Sequence, residues 1–166
     1  MKLVHYAAVA VLAVALAAGA YVGLGSAPTA PKVGYTLLDG TPADTGQFRG
    51  KVVLVNFWAT SCTTCVKEMP QIVATYDRYR ARGYDTLAVA MSYDPPAYVA
   101  NFVETRKLPF PVAIDNTGAI ARSFGDVQLT PTSVLINKRG EIVKRYVGEP
   151  DFAALHAMIE KLLAEA

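Results

Sequence analysis

The chain has 166 residues, 52% hydrophobic and 18% charged, with 16 basic and 14 acidic residues and a net charge of +2. A balance this close to neutral gives little field for attracting nucleic acid, so no nucleic-acid partner is expected. Two cysteines three positions apart are too few for a disulfide framework and fall short of the about four ligands of a closed zinc site, and neither His5 nor His156 stands at ligand spacing from them, so no metal is expected.

Tyr6 to Leu24 carries no charge, is rich in Ala, Val and Leu, and follows Lys2. A bilayer span takes about 20 apolar residues, and a cleavable leader has a shorter apolar region of about 7–15. The length favours an uncleaved anchor, while Ala18-Gly19-Ala20 fits the small-x-small pattern of a cleavage site. No cysteine follows it to carry a lipid. Residues 1–25 are therefore read as a signal anchor or signal peptide, 26–33 as a Pro/Thr-containing linker, and 34–166 as one folded domain. Either fate of the leader puts that domain outside the cytoplasmic membrane. As an anchor, the N-terminal helix makes the protein a single-pass inner-membrane protein facing the periplasm, with Lys2 inside.

Tyr35-Thr36-Leu37-Leu38 before Asp39-Gly40 reads as a short strand and turn. Lys51 to Trp58 is apolar at nearly every position, which suits a central strand covered on both faces. From Cys62 to about Arg82, Val66, Met69, Ile72, Val73 and Tyr76 recur at helical spacing, with Pro70 inside and Gly83 at the end. Leu87 to Met91 is a second buried strand. Pro95-Pro96 opens a helix to about Arg106, with Val99, Phe102 and Val103 inward. Pro111 to Ile114 is a short strand, and a short helix ends near Phe124-Gly125. Thr132 to Ile136 and Glu141 to Val147 form a hairpin across a short turn. Asp151 caps a last amphipathic helix to Ala164, with Phe152, Leu155, Ile159 and Leu162 as its buried stripe. The order β-β-α-β-α-β-α-β-β-α predicts an α/β fold, a mixed sheet with helices on both faces.

Cys62 and Cys65 lie where a buried strand runs through a loop into a long helix. A helix N-terminus has unpaired N–H groups and a partial positive charge, so it stabilises a thiolate. Spacing i, i+3 sets the two Cα atoms about 5–6 Å apart, within disulfide reach. Cys62 is expected at the exposed first turn and Cys65 under cover. The pattern fits a redox-active pair. A structural disulfide or two inert thiols are the plainer alternatives.

Here the chain resembles the TlpA/ResA-like, CcmG/DsbE-related branch of the thioredoxin superfamily. The matching residues are Gly50-Lys51-Val52-Val53-Leu54-Val55-Asn56-Phe57-Trp58, the Cys62–Cys65 pair, Glu68-Met69-Pro70, Phe110-Pro111-Val112 and the run Thr130 to Asn137. The resemblance covers about residues 34–163. It implies a thioredoxin-like fold with an N-terminal β-hairpin extension and an inserted helix-strand unit. It implies an extracytoplasmic thiol–disulfide oxidoreductase, a reductase of specific protein disulfides such as those met in cytochrome c maturation. No cofactor is implied. A transmembrane electron donor of the DsbD/CcdA type would keep it reduced. Catalysis would fall to Cys62, Cys65 and Glu68, with Thr130, Pro131 and Trp58 binding substrate. Pro131 matches the family's cis-proline, and Glu68 its active-site glutamate.

Ser61 departs from the aromatic residue usual in that family, and Thr63-Thr64 from its more common Glu-Pro or Pro-x pair. Asn56 stands where cytoplasmic thioredoxins hold a buried aspartate. Two other activities fit less well. A peroxiredoxin-like peroxidase needs a Pro-x-x-x-Thr-x-x-Cys pattern that precedes neither cysteine. A Cu(I)-binding thiol carrier lacks Met or His at a helpful spacing.

Overall fold

The computed structural model describes residues 27–165, and the expected leader over residues 1–25 lies outside the described residues. In chain order they form β1 (Gly34–Thr36), β2 (Pro42–Asp44), a 3-10 turn (Thr45–Phe48), β3 (Val52–Trp58), α1 (Thr63–Tyr79), β4 (Tyr84–Ala90), α2 (Pro96–Arg106), β5 (Val112–Ile114), α3 (Ala119–Ser123), β6 (Thr132–Ile136), β7 (Ile142–Val147) and α4 (Phe152–Ala164). Among the described residues no helix is long and apolar enough to cross a membrane.

Five strands form one sheet in the order β5-β4-β3-β6-β7. β3 is central, as its nearly continuous apolar run predicted, and every one of its residues is buried. It pairs parallel to β4 and antiparallel to β6. Side chains alternate across a strand. Val53, Val55 and Phe57 therefore join Leu87, Val89, Ile120 and Phe124 in one core layer. The even-numbered residues face the other way. Leu54 packs with Leu155 and Ile159 of α4, and Trp58 packs with Met69 and Ile72 of α1 and Val99 of α2. Helices thus cover both faces, and Asn56 is the one polar residue that β3 turns toward α1.

The implied hairpin extension is present as the two-stranded antiparallel sheet of β1 and β2. Its first strand is Gly34–Thr36 rather than Tyr35 to Leu38. Pro42–Asp44 was not read as a strand, because three residues beginning with proline carry no alternation to detect. Proline is tolerated there because the strand lies at an edge. Leu37 and Leu38 tie the hairpin to β5 through a bridge to Ala113 and the Leu38 N–H to Val112 oxygen bond of 2.7 Å. The implied inserted unit is α2 with β5.

Part of the stretch read as a linker is docked. Thr29 bridges Glu141, and the Ala30 N–H donates to the Gly140 oxygen at 2.8 Å. The helix expected to about Arg82 is α-helical through Pro70 to Tyr79. It tightens to a 3-10 turn over Arg80–Arg82 and stops at Gly83, whose φ of 93° suits a residue without Cβ. β4 begins at Tyr84, three residues before the expected Leu87. Tyr84, Asp85 and Thr86 look polar, but Asp85 pairs with Lys51 at 2.8 Å and the buried Thr86 hydroxyl donates to the Tyr84 hydroxyl at 3.2 Å.

Candidate active site

β3 ends at Trp58, and the chain turns at once. The Cys62 N–H donates to the Ala59 oxygen at 3.1 Å, closing a four-residue turn. Cys62 is extended and caps α1. Its sulfur accepts the Cys65 N–H at 3.2 Å, and its carbonyl accepts the Val66 N–H at 3.0 Å. A helix whose N-cap is a sulfur aims its first free N–H groups at that atom. In the reduced protein those groups stabilise a thiolate on Cys62. Cys62 is half-buried and Cys65 is fully buried. The two are joined in a disulfide with Cα atoms 5.2 Å apart. Ser61, Thr63 and Thr64 are exposed, so the rim around Cys62 is small and polar.

Behind the pair lies a buried polar wall. Glu68 sits one helical turn beyond Cys65 and is fully buried. Asn56 and Ser133 are directly paired residues of β3 and β6. The Asn56 amide nitrogen donates to Glu68 Oε1 and to Ser133 Oγ, each at 3.0 Å. Glu68 Oε2 and Asn56 Oδ1 are buried with no hydrogen-bond partner among the described residues. Burial pushes the Glu68 carboxyl up to about 7, and the charge of Glu149 adds to the rise, while the Asn56 hydrogen bond opposes it. Glu149 in turn lies 3.3 Å from Lys67.

On the outer side the connection from β4 to α2 closes over the loop. Asp94 is buried. One of its oxygens accepts the Thr60 N–H at 2.6 Å and the other accepts the Thr60 hydroxyl at 2.5 Å. Next to it the exposed Tyr93 hydroxyl lies 3.2 Å from the Thr130 hydroxyl. The Thr130–Pro131 peptide bond is cis. β3 and β6 pair Phe57 with Thr132. Continuing that register sets Pro131 and Thr130 alongside Trp58 and Ala59, at the same end of the sheet as the cysteines. No hydrogen bond among the described residues uses the Thr130 backbone N–H or C=O.

Of the residues expected at a site, Cys62, Cys65, Glu68, Thr130 and Pro131 thus gather at one end of the sheet. Trp58 does not share their surface. It is fully buried against Phe102, with ring centroids 5.0 Å apart, so it forms the floor under the loop instead of touching a partner. The sequence reading missed Asp94, Thr60, Tyr93 and Ser133. Asp94 looked like an ordinary loop acid before Pro95-Pro96, and only its burial marks it out. Ser133 and Thr132 are the two polar residues that open β6 before its apolar run Val134 to Ile136, so nothing local sets Ser133 apart. Among the described residues no group of three or more His, Cys, Asp or Glu side chains is placed to hold a metal ion.

The Redoxin family model matches residues 25–159. The chain is 38% identical over 133 residues to the thiol-disulfide oxidoreductase ResA of Bacillus thuringiensis subsp. konkukian, covering 80% of this chain and 76% of that one. It is 33% identical over 129 residues to the ResA of Halalkalibacterium halodurans, covering 78% and 72%. The solution structure of a thioredoxin candidate from Neisseria meningitidis is 42% identical, with a TM-score of 0.78 over 85% of this chain and 93% of that one. A thioredoxin-family thiol:disulfide interchange protein of Chlorobium tepidum is 26% identical, with a TM-score of 0.77 over 84% and 99%.

Proposed function

The chain belongs to the Redoxin family as a ResA-like thiol–disulfide oxidoreductase, and from that premise we propose that it reduces the disulfides of particular exported proteins through Cys62 and Cys65. The observation that carries this reading is the cap on α1, where the half-buried Cys62 sulfur accepts the Cys65 N–H at 3.2 Å. Cys62 attacks a substrate disulfide as thiolate; the substrate S–S bond breaks, one of its sulfurs leaves as thiolate and the other is joined to Cys62 as a mixed disulfide. Cys65 then forms a bond to the Cys62 sulfur, and the substrate sulfur leaves with the electron pair of the broken bond. Glu68, one turn from Cys65, takes the Cys65 proton. The free backbone groups of Thr130 pair with an extended segment of the substrate, and Pro131 shapes the turn that presents them. Trp58 supports the loop from beneath.

The substrates are proteins whose cysteines must be free before a cofactor is attached, such as apocytochrome c or metallochaperones. Residues 1–25 anchor the domain to the inner membrane, facing the periplasm. An oxidising compartment then requires a transmembrane electron donor of the DsbD/CcdA type. Support for the anchor is the uncharged Tyr6 to Leu24 run. A mature chain beginning at Tyr21 would overturn it.

The test of the reductase reading is the reduction potential of the Cys62–Cys65 pair, measured with its rate toward a peptide disulfide. A potential near the about −270 mV of thioredoxin supports a reductase, and one near about −120 mV makes the protein an oxidant instead.

A further inference from the structure

Glu68 makes one hydrogen bond where it has two oxygens to satisfy, and that asymmetry has a cause. Its Oε1 is held by the Asn56 amide at 3.0 Å, and the same nitrogen is held by Ser133 Oγ at 3.0 Å. An amide nitrogen has two hydrogens, and both are spent here. The amide is therefore pinned from two sides, between β6 and α1. It cannot swing to follow Glu68 Oε2, which stays buried and without a partner.

We propose that Asn56, clamped by Ser133, is a positioning residue that ties down one oxygen of Glu68, leaves the other for the Cys65 proton, and keeps the ionised form of Glu68 available at neutral pH. This rests on the role of Glu68 in the proposed function. The exchange balances as follows. The Cys65 S–H bond breaks and its proton passes to Glu68 Oε2. The Cys65 thiolate bonds to the Cys62 sulfur. The substrate sulfur leaves as a thiolate with the electron pair and is protonated from solvent. A carboxyl buried without a donor would stay protonated and be unable to take that proton, because burial penalises the charged form. The amide hydrogen bond pulls the other way and favours the charged form. Ser133 matters because it holds the donor hydrogens in the direction of Oε1.

Few charges compete with this arrangement. From β3 the carboxyl meets the uncharged Asn56, which the uncharged Ser133 of β6 holds in turn. From the connection between β7 and α4 it feels the charge of Glu149, which raises it, and Lys67 sits against Glu149 at 3.3 Å. On α1 itself Cys65 lies one turn back.

The test follows the Glu68 carboxyl carbon by 13C NMR across pH in the reduced protein, alongside the rate at which a Cys62-linked peptide is released. Substitution Asn56→Leu, close in shape and without a donor, is expected to move the Glu68 midpoint at least one pH unit alkaline and to slow release about fivefold at pH 7, following the ionised fraction. Ser133→Ala is expected to move both in the same direction by less, and it serves where Asn56→Leu does not fold. An unmoved or acid-shifted Glu68 midpoint in the folded variants overturns the inference. Glu68→Gln separates the two claims. A release rate and pH profile unchanged by Glu68→Gln reject Glu68 as the proton acceptor, whatever Asn56 does to its midpoint.

Discussion

Two buried carboxylates stand on opposite sides of the cysteine loop, Glu68 within and Asp94 without, and they are partnered in opposite ways. Both oxygens of Asp94 are taken by Thr60, one by its N–H and one by its hydroxyl. Glu68 has one amide donor and one oxygen with no partner. A carboxylate with a donor on each oxygen is a latch, because it ties down the groups that donate to it. A carboxylate left half satisfied in the interior is poised between its charged and neutral forms. Asp115 repeats the latch pattern at α3, where its two oxygens accept the N–H groups of Ile120 and Ala121 at 3.1 and 2.8 Å. The number of donors, more than depth of burial, thus sets Glu68 apart from the other two buried acids among the described residues, Asp94 and Asp115.

The largest expected effect comes from removing the latch. Asp94→Ala leaves the Thr60 N–H and hydroxyl without partners beneath the surface, and each lost partner costs about 1–3 kcal/mol. We expect a loss of about 3 kcal/mol in urea denaturation, with slower attack by Cys62 because the turn before it loosens. Stability within about 0.5 kcal/mol of wild type, the range of ordinary surface changes, would show that Asp94 is no latch and would collapse the comparison.

Glu68 should show the reverse sign. Its folded-state midpoint lies near 7 against an ordinary 4.5, so the folded state binds its proton more tightly than the unfolded chain does. Stability from that protonation is full below pH 4.5 and is lost as pH rises to 7. At about 1.4 kcal/mol per pH unit, the loss amounts to about 3 kcal/mol. Glu68→Gln removes this dependence. Relative to wild type, the variant should gain stability between pH 4.5 and 7 and hold the gain above. A constant difference across that range would mean that Glu68 is ionised throughout. A smaller change is expected from Thr60→Val, which deletes one of the two donors to Asp94 and keeps the N–H. It should cost about 1 kcal/mol, by the usual worth of one hydrogen bond.

Much of this was legible in the chain. The nearly continuous apolar run of β3, the place of Cys62 at the start of α1 and the spacing from Cys65 to Glu68 all follow from patterns that the residues carry locally. The hairpin extension and Pro131 came from resemblance, because a three-residue strand and a peptide-bond isomer leave no periodic trace. Asp94 and Ser133 were hidden for a different reason. Each acts on a residue distant in sequence, Asp94 on Thr60 and Ser133 on Asn56, and no local pattern announces a partner 34 or 77 positions away. Trp58, which the resemblance implied as a substrate-binding residue, is buried at the end of β3 on the same face as Leu54 and Asn56.

The smallest effect tests whether the half-satisfied acid is also tuned from outside. Glu149 lies in the connection after β7 and carries the one charge that raises Glu68. Its side chain is 33% exposed and its partner Lys67 is 73% exposed, so the pair itself adds little stability. Glu149→Gln removes a negative charge and leaves Lys67 uncompensated, and both changes favour the ionised form of Glu68. Its midpoint should fall, with stability at pH 7 changed by no more than about 0.5 kcal/mol. Because the two side chains reach solvent, added salt should shrink the difference from wild type; the screening length is about 10 Å at 0.1 M and about 3 Å at 1 M. A Glu68 midpoint that stays put or rises would rule out tuning from Glu149 and leave burial and the Asn56 contact as its controls.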